Sequence, residues 1–281
     1  MTEVARSRAK AVTSSVPPSR SRVFARAKRL SGTTTATEFM QEHVRGQRAG
    51  YPNGVGVPES DLLAFERPLV SRGEVVVGVD EVGRGALAGP VTVGALVITS
   101  DAQPPAGLND SKLLTRSQRE RLVEPLQEWA TDWSLGSASA REIDEWGLRL
   151  ALAIAATRAL DGLKVRPTYA LLDGSFNLLD APMSFGFATT MAPELSYARL
   201  PCTTLIKGDR RSASIAGAAV LAKVARDRTM REMSEHFPQF EWGSNKGYGA
   251  TVHLEALRRH GPTVEHRKTW KLPASSGPEA L

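Results

Sequence analysis

Apolar positions are irregular until Glu74, where the pattern of the chain becomes regular. EVVVGVD (74–80) and PVTVGALVIT (90–99) are rich in β-branched residues, and the glycine-punctuated turn between them predicts a strand pair. TRSQRERLVEPLQEWA (115–130) has the amphipathic spacing of a helix, with Pro125 an awkward guest. DWSLGSAS (132–139) reads as a third strand. Ser139 and Glu142 then stand at capping-box spacing and open a long helix through about Leu160. TYALLDG (168–174) and CTTLI (202–206) are short apolar runs bounded by turn residues, as buried strands are. Two further helices are expected at about 213–236 and 250–260, the second closed by Gly261-Pro262. Strands and helices in this order predict one α/β body of about 200 residues around a mixed sheet.

Upstream the chain has a different character. Residues 1–36 are rich in Arg, Ser, Thr and Pro with Glu3 as the lone acid, too polar to offset the entropy of ordering. The stretch 1–56 is therefore expected to be a disordered basic extension and linker, either a solvated leader, a phosphate-binding arm or a transit peptide. DLLAFERPLVSRG (61–73) predicts a short helical lead-in closed by Gly73, and 271–281 a flexible tail. The net charge of +6 belongs to the extension: residues 1–50 hold ten Lys/Arg against three acids, the remainder 26 against 27. A basic pI thus says little about the folded body. No apolar run approaches the roughly 20 residues of a membrane span. Cys202 is the only cysteine, which excludes an internal disulfide and fits a reducing, cytoplasmic setting.

The acids carry the candidate chemistry. Asp80 and Glu81 end the first strand, Asp173 ends YALLDG, and Asp209 lies between a strand and a long helix. Clustered carboxylates repel one another and need a compensating cation. Hard divalent ions such as Mg²⁺ and Mn²⁺ take oxygen ligands, and a pair of them suits phosphodiester hydrolysis. The competing reading is structural, with each acid a turn former or helix cap. Adjacent strand residues also face opposite ways, so Asp80 and Glu81 share an ion only if the strand stops at Asp80, as Gly83 and Gly85 would allow. Spacing leaves both readings open.

Five ordered motifs resemble the bacterial ribonuclease HII family: GVDEVGRGALAGPVTVGALV (78–97), LNDSKLLTRSQRERL (108–122), LLDG (171–174), KGDRRSASIAGAAVLAKVARDRTM (207–230) and NKGYGATVHLEALRRHGPTVEHRKTW (245–270). The resemblance covers 74–270 and none of the extension. It implies a ribonuclease H-like fold, a five-stranded mixed sheet flanked by helices with a C-terminal helical extension. It implies that Asp80, Glu81, Asp173 and Asp209 hold two Mn²⁺ or Mg²⁺ ions. The implied partners are RNA–DNA hybrids and duplex DNA carrying single ribonucleotides, nicked on the 5′ side to leave 3′-hydroxyl and 5′-phosphate ends. A monomer is expected. The family places its Gly-Arg-Gly turn, here Gly83, Arg84 and Gly85, against the ribose 2′-hydroxyl, with a tyrosine matching Tyr248 at the same nucleotide. Lys112, Lys207, Lys223 and Arg226 are candidate phosphate contacts, joined by Ser212 and Ser214 at a helix start. Asp227 is read as a local partner of Lys223, and His253, His260 and His266 as structural or phosphate-side residues. Ser175 and Gly217 stand where the family commonly has Asn and Ala.

Overall fold

The computed structural model describes residues 61–179 and 200–275. The expected basic extension lies outside them. Five strands form one sheet: β1 (Val76–Val82), β2 (Val91–Ile98), β3 (Asp132–Ala138), β4 (Tyr169–Asp173) and β5 (Cys202–Leu205), in the order β3-β2-β1-β4-β5. β1, β2 and β3 pair antiparallel, whereas β4 runs parallel to both β1 and β5. The helices are α1 (Arg67–Val70), α2 (Arg116–Trp129), α3 (Ala140–Asp161), α4 (Ala213–His236), α5 (Trp242–Asn245) and α6 (Thr251–His260). None of the described helices is long and apolar enough to cross a membrane.

Most sequence expectations hold, with instructive exceptions. The Ser139–Glu142 capping box forms in both directions, but α3 is broken at Gly147, whose φ of 75° is not helical. α2 runs through Pro125 without interruption. The lead-in contributes only the single turn α1, yet it buries Leu63, Phe65 and Leu69.

Alternation along the strands divides the core. Val77, Val79, Val93, Ala95 and Leu172 pack on the α3 side, and Val76, Leu96, Ile98 and Leu171 pack with α2, α4 and the lead-in. α4 lies unusually close to the sheet. A Cβ at Gly78 would fall 2.2 Å from the Ser214 carbonyl carbon, and one at Gly94 would fall 2.3 Å from the Ala218 oxygen. Gly217 is explained in the same way, since its missing methyl makes room for Leu96 and Leu126.

The second half of α4 carries a smaller core of Met230, Phe240, Trp242, Ala256 and Leu257, closed over Ala88. Two buried histidines lie in it. Trp242 Nε1–H donates to His253 Nε2 (3.1 Å), so His253 carries its hydrogen on Nδ1 and donates it to the Tyr248 carbonyl (2.8 Å). The Thr263 N–H donates to His266 Nδ1 (2.9 Å), leaving His266 Nε2–H to donate to His253 Nε2 (3.1 Å). Each neutral tautomer is set by its neighbours, and an added proton would face a donor.

Replacing Gly78 by Ala is expected to destabilise the protein at the upper end of the about 1–3 kcal/mol that overpacking costs, by urea denaturation. Gly249→Ala, which meets nothing nearer than 3.5 Å, should cost far less. Burial, then His253 and Lys268, push His266 down to about 4, and burial lowers His253. Because an unfolded histidine titrates near 6.5, the unfolded chain gains protons that the native pair refuses as pH falls from about 6.5 to 4. The stability margin of the wild type over His266→Asn should shrink across that window. A constant margin in urea titrations would contradict the neutral pair.

Candidate active site

The site lies toward the carboxyl ends of β1 and β4, which are parallel neighbours. The register pairs Val79 with Leu172, which sets Asp80 and Asp173 side by side at the carboxyl end of the sheet. β5 then leads into a one-turn 3₁₀ helix, Gly208–Arg210, which carries Asp209. Asp173 Oδ1 accepts from the Gly208 N–H (2.7 Å), tying the two acidic segments together.

Asp80 and Asp209 are buried, at 6% and 3% exposure, whereas Glu81 is half-buried. Burial, reinforced by Glu81 and Asp173, holds the Asp80 carboxyl well above the usual carboxylate range. Glu81 is raised by burial, offset by Arg84 and reinforced by Asp173. Asp209 is raised by burial, with Asp173 and Asp110 adding to the effect and Lys112 opposing it. Asp80, Glu81 and Asp209 are thus each raised by burial together with at least one neighbouring carboxylate. β1 does not stop at Asp80, however. It pairs through Val82, with Asp80 opposite Gly94 and Glu81 opposite Val93, so the two acids leave opposite faces of the strand. Among the described residues, no three His, Cys, Asp or Glu side chains stand together as a group able to hold an ion.

Lys112 supplies the nearest compensating charge, with Nζ 3.0 Å from Asp209 Oδ2. Its loop is set by Asp110, a buried acid that sequence reading passed over. Asp110 accepts from the Lys112 N–H (2.8 Å) and from Arg210 Nε (3.0 Å). Burial acts to raise Asp110, but these bonds outweigh it and lower the group.

The Gly-Arg-Gly turn borders the acids. Gly83 has φ +87° and faces inward, where a Cβ would meet Arg226 Nε at 2.1 Å. It is a packing glycine. Gly85 is exposed, and the nearest atom to a Cβ there would be Tyr248 Cε1 at 3.9 Å. Tyr248 itself is 39% exposed, so the turn and the tyrosine share one open surface.

Several expected phosphate contacts are redirected. Ser212 and Ser214 are fully buried and donate to Glu66 Oε1 at 2.5 and 2.8 Å. Arg226 is 1% exposed and bonds backbone carbonyls. Lys223 is half-buried and paired with Asp227, as its helical spacing suggested. These four are occupied within the fold because α4 is buried from its N-cap to Ala222 and again at Arg226 and Asp227. Lys112 and Lys207 remain exposed beside Asp209. Sequence reading also missed Glu66 and Arg267. The only signals were a lone acid inside an apolar segment and an arginine following a histidine.

A mixed five-stranded sheet flanked by helices, with acids gathered where two parallel strands end, defines a ribonuclease H-like fold. Within that class the chain belongs to the ribonuclease HII family, endoribonucleases of RNA–DNA hybrids, whose family model "Ribonuclease HII" matches residues 77–273. It is 46% identical over 198 residues to the ribonuclease HII of Streptomyces griseus, covering 69% of this chain and 76% of that one. It is also similar to the crystal structure of ribonuclease H2 from Pyrococcus horikoshii OT3, with 27% identity, TM-score 0.54, and coverage of 70% and 93% of the two chains. The ribonuclease HII–PCNA complex structure from Archaeoglobus fulgidus shares the fold at 23% identity and TM-score 0.56, with 72% and 98% covered.

Neutralising a buried member of this cluster should stabilise the protein alone. Asp80→Asn keeps the Oδ1 atom that accepts from the Glu81 N–H (2.8 Å) while removing the charge. Since the native pKa of Asp80 is raised, the ionised carboxylate weakens the fold above that pKa, and acidification relieves it. In EDTA at pH 7.5 the variant is expected to gain about 0.5–2 kcal/mol, with the gain fading as pH falls. Equal stability at both ends of the pH series would show that the repulsion is absent.

Proposed function

We propose that the protein cuts the RNA strand of RNA–DNA hybrids and nicks duplex DNA on the 5′ side of a single embedded ribonucleotide, leaving 3′-hydroxyl and 5′-phosphate ends. The observation that carries this reading is the meeting of acids at the ends of β1 and β4 and before α4, three of them raised by burial and neighbouring carboxylates, with the exposed Arg84-Gly85 segment and Tyr248. Removal of single ribonucleotides from DNA is the corresponding role, performed as a monomer in the cytoplasm. The lone cysteine is compatible with that compartment.

The donor set fits a hard divalent cation in kind, since Asp80, Glu81, Asp173 and Asp209 offer only carboxylate oxygens. It fits in charge as well, since burial and repulsion disfavour the ionised carboxylates, a penalty that Lys112 only partly offsets and a cation would relieve. When bound, two Mg²⁺ or Mn²⁺ ions would activate the attacking water and stabilise the leaving oxygen. The chain's own residues do the remaining work. Asp80, Asp173 and Asp209, with Glu81 from the other face of β1, would hold the ions, while Lys112 and Lys207 would meet phosphate oxygens at the rim. Gly85 lets the backbone approach the sugar, and the Tyr248 ring packs on the same nucleotide. Recognition through the 2′-hydroxyl separates ribose from deoxyribose at one position without reading the base.

The full chain with Mn²⁺ or Mg²⁺ should nick a duplex carrying one ribonucleotide and leave the same duplex in all-DNA form intact. EDTA should abolish nicking, and Asp80→Asn should reduce it at least about a hundredfold, as loss of several kcal/mol of transition-state stabilisation requires. Metal-independent nicking, or full activity in the variant, would refute this mechanism.

A further inference from the structure

Two buried arginines support the recognition turn from beneath. Arg267, fully buried, donates from Nη2 to the carbonyls of Gly83 (2.6 Å) and Gly89 (3.2 Å), and from Nη1 to that of Arg84 (2.8 Å). Its Nε adds a long bond to Gly89 O (3.4 Å). Arg226 donates to the carbonyls of Pro90 (2.8 Å), Lys246 (3.0 Å) and Ala88 (3.3 Å). Seven hydrogen bonds therefore end on six backbone carbonyls, five of them between Gly83 and Pro90. Among the described residues, neither guanidinium has a carboxylate within ion-pair distance. Burial, and then Arg226, lower Arg267 to about 9. A cation kept in the interior on neutral carbonyls and the face of Trp270, with no carboxylate, is a costly way to hold a loop. Its planar fork nevertheless allows one side chain to fix several carbonyls at once.

The bonds to Gly83 and Arg84 have a consequence on the other side of the chain. The described backbone has no cis peptide bond, and a trans peptide is planar with its C=O and N–H pointing in opposite directions. Drawing the Gly83 and Arg84 carbonyls inward to Arg267 turns the N–H groups of Arg84 and Gly85 outward. Both residues are exposed, and neither amide donates to any described residue. Two adjacent donors are thus presented beside the Tyr248 ring, over which the Arg226 guanidinium lies 5.7 Å from the centroid.

We propose that Arg226 and Arg267 are positioning residues, a paired guanidinium clamp that aims the Arg84 and Gly85 amides at the substrate sugar, so that ribose recognition depends on two side chains that never touch the nucleic acid. This rests on the ribose-reading role proposed above for the turn. The test uses the full chain with Mn²⁺ and measures kcat/KM on the single-ribonucleotide duplex alongside the inhibition constant of the matching all-DNA duplex. Arg267→Lys retains the charge but loses the fork. It should lower kcat/KM about tenfold or more, the loss expected from misdirected hydrogen bonds, while leaving inhibition by DNA unchanged. Arg226→Lys should act in the same direction. An unchanged kcat/KM, or equal weakening of both constants, would overturn the clamp. If the variants do not fold, amide hydrogen exchange on the wild type in EDTA decides. The Arg84 and Gly85 amides should gain protection with the ribonucleotide duplex and not with all-DNA, and equal protection by both would overturn the proposal. A wild type that nicks neither duplex would instead refute the ribose-reading role itself.

Discussion

The structure depends on how closely α4 lies against β1 and β2. With hydrogen atoms alone at Gly78 and Gly94, the helix backbone rests on the strand backbone at the level of Ser214 and Ala218. That seat fixes the start of α4, and with it the 3₁₀ turn holding Asp209 next to Asp173. It also fixes the helix's direction, so that Arg226 arrives beneath Gly83 and Met230 reaches the C-terminal core. A helix held a few ångströms farther away by ordinary side chains would move all of these together.

Around that seat, charge is distributed in an opposed pattern. Acids gather where parallel strands end, and their mutual repulsion is offset only in part by Lys112. Two buried guanidiniums lie behind the adjoining turn, bonded to carbonyls without carboxylate partners. Each half is electrostatically incomplete in the protein alone. Divalent cations would complement the acids, whereas the guanidiniums, buried beneath the turn, act on its backbone from within. The lead-in belongs to this arrangement as well. Glu66 caps the start of α4 through Ser212 and Ser214, linking a segment before the family-matched region to the turn that carries Asp209.

Much of the fold was legible in advance because its signals are local. Alternating β-branched runs, the Ser139–Glu142 box and the Gly261-Pro262 stop depend on neighbouring residues, and all appear as read. The break in α3 at Gly147 was not legible, since a glycine within a helical pattern is ordinarily tolerated. The positions of the four acids at the ends of β1 and β4 and before α4 were legible through their motifs. Their neighbours were not: a serine at a helix start and an arginine on a helix face look solvent-facing until the elements above them are known. Ser214 and Arg226 are buried for that reason.

What the sequence determined by itself was the order of elements, the acids at their ends and the glycine turn, because backbone propensity and motif spacing operate over a few residues. Only the tertiary structure decided which side chains remain open to a substrate and which hold the site from within. Arg267 reaches the Gly83 carbonyl across 184 residues of sequence, and no local pattern encodes that meeting. It follows from packing the C-terminal extension over Ala88, where buried backbone carbonyls require donors and a fully buried arginine supplies them.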